Sequence, residues 1–156
     1  MARLPRSNLP DGTYHVTARG NRRQDIFVTD DDRRRFLTIL EITASKYGWR
    51  CYAYCLMHNH IHLVIETPEA NISAGMQYLC GRYAQAFNRS YGLSGHLFQG
   101  RFHSVLVVNE AQLLVAIRYV VLNPVRAGLC RHPREWGWSS YLAIASPVPR
   151  ATFLTV

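Results

Sequence analysis

The chain has 156 residues, and its 18 basic side chains outnumber its 10 acidic ones to give a formal net charge of +8. A chain of this length forms a single domain whose core needs no disulfide support. No apolar run approaches membrane length, and the start MARLPRSNLP lacks the apolar segment of a secretion signal. The four cysteines make no CxxC pair and no zinc-ribbon spacing. We therefore expect a reduced, cytoplasmic protein without a membrane partner.

The basic charge is almost entirely arginine. Lys46 is the only lysine, and the other 17 basic residues are arginines. A guanidinium group binds phosphate bidentately and stacks on bases, which an ammonium group does less well. Composition therefore favours nucleic acid as the partner, with a merely basic surface as the alternative.

The first part of the chain predicts a strand and a helix. Residues 1–12 carry Arg, Pro, Asn and Gly without periodicity and predict a loose basic arm. Residues 13–19 (TYHVTAR) alternate with β-branched and aromatic side chains and predict a strand, followed by a GNRRQ loop. Thr29 and the three Asp after it form a capping-box signature, which predicts a helix as far as Tyr47.

Two further strands and a long helix follow. Residues 49–56 predict a second strand, with Cys51 and Cys55 on one side as small core residues. A turn over residues 57–59 leads into a third strand that ends at Thr67. Residues 71–91 predict a helix, because apolar side chains recur on one stripe.

The last third of the chain predicts one more strand and helix. Residues 92–104 form a loop that passes into a strand ending at Val108, and Asn109 is a plausible N-cap. The helix is expected from Ala111 to about Leu122, because proline at position 124 disfavours helix in the residue before it. The aromatic segment 136–141 is expected to pack on the core, before a tail from about residue 142 to 156.

This element order predicts an α+β fold. Strand, helix, strand, strand, helix, strand is the split βαβ, or ferredoxin-like, pattern of an antiparallel sheet with two helices on one face. The whole chain, residues 1–156, then forms one domain. The third strand lies in the centre beside the first, and the additional C-terminal helix is the natural cover for the open face.

The third strand carries the first candidate site. His60 and His62 alternate with Ile61, Leu63 and Ile65 in HIHLVI, so the two imidazoles share one face. Two neutral imidazoles at this spacing suit one metal ion, although a third ligand is needed. A lone pair of strand histidines is more often structural.

The last helix offers the missing groups. Tyr119 and Asn123 are four residues apart and lie on one helical face. If the helix crosses the open sheet, a phenol and an amide oxygen can both approach the histidines. Each alone has an ordinary interpretation, Tyr119 as a half-buried aromatic residue and Asn123 as a helix-end residue.

These residues resemble a known family. HIH within MHNHIHLVI, together with Tyr119 and Asn123 in RYVVLNPVRAG, resembles the HUH single-strand nucleases with one tyrosine, and more closely the REP-associated tyrosine transposases. The blocks YHVTARGNRR, GHLFQGRFHS and WGWSSY also look like that group. Position 58, commonly proline in the family motif MPNHxH, is histidine here.

The resemblance implies an activity. Tyr119 is then the nucleophile, His60 and His62 bind Mg²⁺ or Mn²⁺, and Asn123 is the third ligand. The products are a 5′-phosphotyrosine and a free 3′-OH, which can rejoin strands. Two imidazoles make a site softer than magnesium prefers, so we expect Mn²⁺ to work at least as well.

The resemblance also implies the substrate, which is single-stranded DNA beside a hairpin such as a repetitive extragenic palindrome. Six polar residues are candidate DNA contacts: Arg19, Asn21, Arg22, Arg23, Arg82 and Arg101. The related insertion-sequence transposases work as dimers that share active sites, whereas the REP-associated group need not, so the resemblance leaves both a monomer and a homodimer open.

The sequence alone leaves two other functions open. HNHIHLV approximates the histidine-triad nucleotide hydrolases, in which a histidine acts without metal, but that family gives Tyr119 no role. A non-catalytic DNA-hairpin-binding protein with the same fold is the second alternative.

Overall fold

The structure is a computed structural model that describes residues 9–145 and 154–155. Most of the predicted arm, and much of the predicted tail, therefore lie outside the described residues. The main elements, in chain order, are β1 (Gly12–Arg19), α1 (Asp30–Tyr47), β2 (Arg50–Leu56), β3 (His60–Thr67), α2 (Ile72–Tyr91), β4 (His103–Val107), α3 (Glu110–Arg126) and α4 (Tyr141–Ala145). Short 3-10 turns span Asn21–Arg23 and Pro133–Glu135.

The four strands form one antiparallel sheet. Its order is β2-β3-β1-β4, so β3 and β1 occupy the centre. This order confirms the ferredoxin-like prediction, including the central third strand beside the first. The pairing places Thr17 opposite His62 and Arg19 opposite His60.

The first face of the sheet packs on α1 and α2. Ile61, Leu63 and Ile65 are fully buried there with side chains such as Phe36 and Leu79. Burying one such side chain contributes about 1.5–3 kcal/mol, so this layer supplies most of the hydrophobic stabilisation. Because alternate residues of a strand point to opposite faces, burial of these aliphatics directs the histidines to the other face.

The second face is covered by α3. Ala116 and Val120 pack there against Ala53, Met57 and Val64. The prediction that a C-terminal helix covers the face of the histidines is therefore confirmed.

The end of α3 differs from the prediction. The helix does not stop before Pro124 but continues through it to Arg126. Proline removes one backbone donor and disfavours helix at the preceding residue. Asn123 and Pro124 are both buried, however, and this tertiary packing offsets the missing hydrogen bond.

A β-bulge corrects the prediction for the cysteines of β2. Cys51 pairs with Ile65 and Ala53 with Val64, so Tyr52 is an extra residue in the strand. The two cysteines therefore lie on opposite faces: Cys51 belongs to the core under α1 and α2, and Cys55 to the core under α3.

The C-terminal segment covers the β2 edge. Trp136 Nε1 donates to the Leu56 carbonyl over 3.1 Å, and Leu56 N donates to the Trp138 carbonyl over 2.8 Å. Leu154 is buried and bridges to Cys51. The expected packing of the aromatic segment onto the core is confirmed for these two tryptophans.

Among the described residues, no helix is both long enough and apolar enough to cross a membrane.

Candidate active site

The two histidines of β3 lie side by side on the α3 face of the sheet. The ring centroids of His60 and His62 are 5.0 Å apart, with the rings nearly perpendicular. His62 is buried and His60 is half-buried. The period of two in the strand thus produces the pair that the sequence predicts.

His62 has one satisfied ring nitrogen and one without a partner. Its Nδ1 lies 3.0 Å from His15 Nε2 and 3.3 Å from Thr17 Oγ1. Its Nε2 is buried and has no hydrogen-bond partner. Burial is the main reason that the pKa of His62 is lowered to about 3, with positive charge on His60, His15 and the nearby arginines adding to it. The ring is therefore neutral at pH 7.

His60 has a partner on each side. Its Nδ1 lies 2.7 Å from Asn59 Oδ1. Burial and then the charge of Arg19 lower the pKa of His60, whereas a hydrogen bond with the Asn123 side chain raises it. The α3 residue predicted as the third ligand is thus within hydrogen-bond reach of the first histidine.

Tyr119 lies at the same place. Its ring centroid is 5.5 Å from that of His15 and 6.0 Å from that of His62. The residue is 44% exposed. Asn123, one helical turn further on, is only 9% exposed. The tyrosine of α3 therefore faces the histidines of its own chain.

A groove beside Tyr119 leads to this site. It has a volume of about 550 Å³ and lies between β4 and α3. His15, Thr17 and His62 form its polar end, while Val105 and Val115 form part of its apolar wall. A ligand in this groove would contact both the phenol and the histidines.

Three residues of the site were not singled out by the sequence. His15 and Thr17 contact His62, and the guanidinium carbon of Arg126 lies 3.8 Å from the Tyr119 ring centroid. A weak sequence pattern exists for each of them. His15 and Thr17 alternate along β1, and Arg126 follows Tyr119 by seven residues, which is two helical turns. The element order predicts that β1 and β3 are neighbours, but no local pattern gives the register that brings His15 and Thr17 to His62.

The donor set fits a divalent metal. In the described part of the chain, no three His, Cys, Asp or Glu side chains are grouped to hold a metal ion, so the candidate set is two imidazoles and an amide. Buried ring nitrogens without partners are costly, and the lone His62 Nε2 is the atom that a cation would satisfy. The lowered pKa values of both histidines keep lone pairs available.

The candidate DNA contacts divide into groups. Arg19 and Arg101 line a second pocket of about 540 Å³, together with Gln77 and Gln99. Asn21, Arg22 and Arg23 form the 3-10 turn that follows Arg19. Arg82 does not line this pocket; it is exposed on α2 with its guanidinium over the Tyr78 ring.

His58 does not extend the strand that carries His60 and His62. It precedes β3 at an exposed turn, where its Nδ1 lies 3.3 Å from Arg33 Nη2 and its ring meets Trp136 edge-on. Arg33 itself is buried beside Phe27. The alternating row required by a histidine-triad hydrolase is therefore absent from this turn, and His58 holds it against α1 and the C-terminal segment.

Comparison with known proteins identifies the family of the chain. The family model described as "Transposase IS200 like" matches residues 8–123. A protein of Haemophilus influenzae, provisionally named a REP-associated tyrosine transposase, is 26% identical over 153 residues, which span 90% of this chain and 86% of the relative.

Two solved structures share the fold. One is a REP-associated tyrosine transposase bound to a REP hairpin, with a TM-score of 0.76 and 18% identity, covering 100% of this chain and 98% of that chain. The other, provisionally a transposase of Deinococcus radiodurans, has a TM-score of 0.52 and 18% identity and covers 73% of this chain and 92% of that chain. The family match spans well over half of the sequence and includes both histidines, Tyr119 and Asn123. The chain therefore belongs to the IS200-like transposase family, whose members process DNA, and it is similar to the REP-associated tyrosine transposases.

Proposed function

We propose that the protein is a metal-dependent endonuclease and strand transferase that acts on single-stranded DNA at hairpin-forming palindromic repeats. The observation that carries this proposal is the position of Tyr119, whose exposed ring lies against His15 and His62 of the same chain. The similar structure with a bound REP hairpin supports the choice of substrate.

His60, His62 and Asn123 would hold Mg²⁺ or Mn²⁺. When bound, the ion would polarise a phosphate oxygen of the scissile bond and so favour attack at phosphorus. The imidazoles enter this site as neutral ligands, because burial lowers the pKa of both. A set of two nitrogens and one amide oxygen suits Mn²⁺ at least as well as Mg²⁺.

Tyr119 is the proposed nucleophile. Its hydroxyl oxygen forms a bond to phosphorus and loses its proton to solvent, while the bond from phosphorus to the 3′ oxygen breaks and that oxygen takes up a proton. The products are a 5′-phosphotyrosine and a free 3′-OH. Because the phosphodiester energy is kept in the covalent link, the same or another 3′-OH can attack it and rejoin strands.

The charge around the site suits a nucleic-acid backbone. Arg19 pairs with His60 across β1 and β3, its charge acts on that ring, and it also lines the second pocket with Arg101. We assign the approaching strand to this pocket and to the turn that carries Asn21, Arg22 and Arg23. Arg82, on α2, is an outlying contact. A helix covers the face that carries the histidines, so a phosphate that reaches them belongs to a single strand and not to a regular duplex.

The test uses labelled single-stranded DNA hairpins with Mn²⁺ or EDTA, resolved on a denaturing gel. The parent protein is expected to give a protein-linked product with Mn²⁺ and none with EDTA. Tyr119→Phe is expected to lose that product while it still binds the hairpin. Tyr141→Phe, which changes a tyrosine of α4, is the matched control and should cleave like the parent.

Two outcomes would overturn the proposal. Cleavage by Tyr119→Phe at the parental rate would remove the tyrosine from the chemistry. Tight hairpin binding by the parent without cleavage, across hairpins with varied flanking sequence and with either metal, would identify a non-catalytic hairpin-binding protein.

A further inference from the structure

The Asn59 side chain has no role in the proposed chemistry, yet it contacts two separate parts of the molecule. Its Nδ2 donates to the Arg23 carbonyl over 3.1 Å, and its Oδ1 lies 2.7 Å from His60 Nδ1. Asn59 lies in the turn before β3, whereas Arg23 lies in the turn after β1. One amide therefore bridges the loop of candidate DNA contacts and a proposed metal ligand.

The Arg23 carbonyl determines the orientation of this amide. A carbonyl oxygen only accepts hydrogen bonds, so the group facing it must be the NH₂ of Asn59. The opposite orientation would place two acceptor oxygens against each other. The oxygen of Asn59 is thereby directed at His60, and His60 Nδ1 must be the donor of the 2.7 Å contact.

A donor at Nδ1 has a consequence for the other ring nitrogen. A neutral imidazole carries one proton, so a ring protonated on Nδ1 has its lone pair on Nε2. A lone pair is what a metal ion requires from a histidine. His62 has a comparable arrangement, since its Nδ1 contacts His15 and Thr17 while its Nε2 has no partner.

The loop that Asn59 contacts, residues 21–23, has a strained backbone. Arg22 and Arg23 have φ values of 55° and 58°, in the left-handed region that non-glycine residues rarely adopt. Such residues persist where surrounding contacts hold them. Here Gly20 N also donates to the Asn59 carbonyl over 2.8 Å, so the loop and the turn before β3 are joined twice.

We propose that Asn59 is a positioning residue that keeps the proton of His60 on Nδ1 and so places the lone pair on Nε2, the ring nitrogen that would bind the metal. This inference rests on the proposed metal site. Asn59 itself touches neither metal nor DNA in this role, and it acts through the tautomer and the ring orientation of His60.

The first test reads the tautomer directly. Long-range ¹H–¹⁵N correlation spectra of the metal-free protein, at a pH where the ring is neutral, distinguish a proton on Nδ1 from one on Nε2. We expect His60 to carry its proton on Nδ1 in the parent. Asn59→Ala should shift the proton of His60 at least partly to Nε2. A His60 protonated on Nε2 in the parent would overturn the inference.

The second test measures Mn²⁺ affinity from the electron paramagnetic resonance signal of the unbound ion. Removal of an outer-sphere partner typically weakens metal binding by about 10–100-fold, so Asn59→Ala should fall in this range. His58→Ala is the matched control from the same turn, because its side chain contacts Arg33 and Trp136 rather than His60. Equal weakening in His58→Ala and Asn59→Ala, with the His60 tautomer unchanged in both, would show that only the turn matters and would overturn the inference.

The tautomer is read without metal, so it decides the inference independently. A parent protein that binds no Mn²⁺ but protonates His60 on Nδ1 would contradict the proposed function alone.

Discussion

The guanidinium of Arg126 lies over the ring of Tyr119, with its carbon 3.8 Å from the ring centroid. Arg126 Nη2 also donates a hydrogen bond to the Tyr119 backbone carbonyl. Both residues are on α3, so the contact forms within one helix and needs only two turns of regular geometry. It places a positive charge beside the proposed nucleophile.

Replacing Arg126 by Gln is therefore expected to slow strand cleavage about two- to fivefold. The contact between a cation and an exposed ring contributes about 0.5–1 kcal/mol, and each 1.36 kcal/mol changes a rate tenfold. Single-turnover cleavage of a labelled hairpin measures this rate. Arg118→Gln, an exposed arginine on the same helix, is the control, and an equal decrease there would assign the effect to net charge instead.

Replacing Arg22 and Arg23 together by Gln should flatten the salt dependence of hairpin binding. Removing one phosphate-binding cation from a single-strand complex lowers the slope of log affinity against log salt by about 0.7, so two such cations correspond to about 1.4. Fluorescence anisotropy at several salt concentrations gives the slope. The double variant Arg34→Gln and Arg35→Gln removes the same charge from α1, where Arg34 pairs with Asp31 and Arg35 contacts Ser90. An unchanged slope for the first pair would remove the loop from the DNA site.

His62 should make the metal-free protein less stable in acid. Its pKa is about 3 in the folded chain against an ordinary value of 6.5, mainly because of burial. Between these pH values the unfolded chain binds a proton that the folded chain does not. The free energy of unfolding therefore rises with pH in this range, and the protein becomes less stable as pH falls below 6.5. One proton corresponds to about 1.4 kcal/mol per pH unit.

Urea unfolding in EDTA between about pH 6 and about pH 4.5 tests this linkage. The free energy of unfolding of His62→Gln should depend on pH less steeply than that of the parent by about 1.4 kcal/mol per unit. Equal slopes would mean that His62 is protonated in the folded chain as readily as in the unfolded one. His15 and His60, whose pKa values are also lowered, remain in the variant and leave a residual slope.

Two glycines of α2 should respond to alanine in opposite directions. A Cβ at Gly75 would lie 2.0 Å from the Trp49 ring, whereas a Cβ at Gly81 would meet nothing within 4 Å. Gly75→Ala should therefore lower the free energy of unfolding by about 1–3 kcal/mol through overpacking. Gly81→Ala should raise it by about 0.5–1 kcal/mol, because alanine loses less backbone entropy in a helix. Urea unfolding of both variants checks the pair, and a stable Gly75→Ala would mean that Trp49 moves freely.

Local periodicity was sufficient for the order of elements and for the pairs within one element. The period of two in HIHLVI determines that His60 and His62 share a face, and the spacing of four determines that Tyr119 and Asn123 share one. Capping of α1 by Thr29 with Asp32 is equally local and follows the predicted pattern. These features depend only on backbone geometry over a few residues, so a single sequence contains them.

Tertiary structure decided what depends on packing between distant segments. His15 reaches His62 across 47 residues of chain, and Asn59 reaches the Arg23 carbonyl across 36, because sheet pairing brings β1 beside β3. The bulge at Tyr52 and the passage of α3 through Pro124 contradict local preference and persist because buried neighbours stabilise them. The sequence by itself therefore determined which side chains could form the site, and only the fold decided which of them hold the others in position, since contacts at long separation are selected by the packing of the whole core.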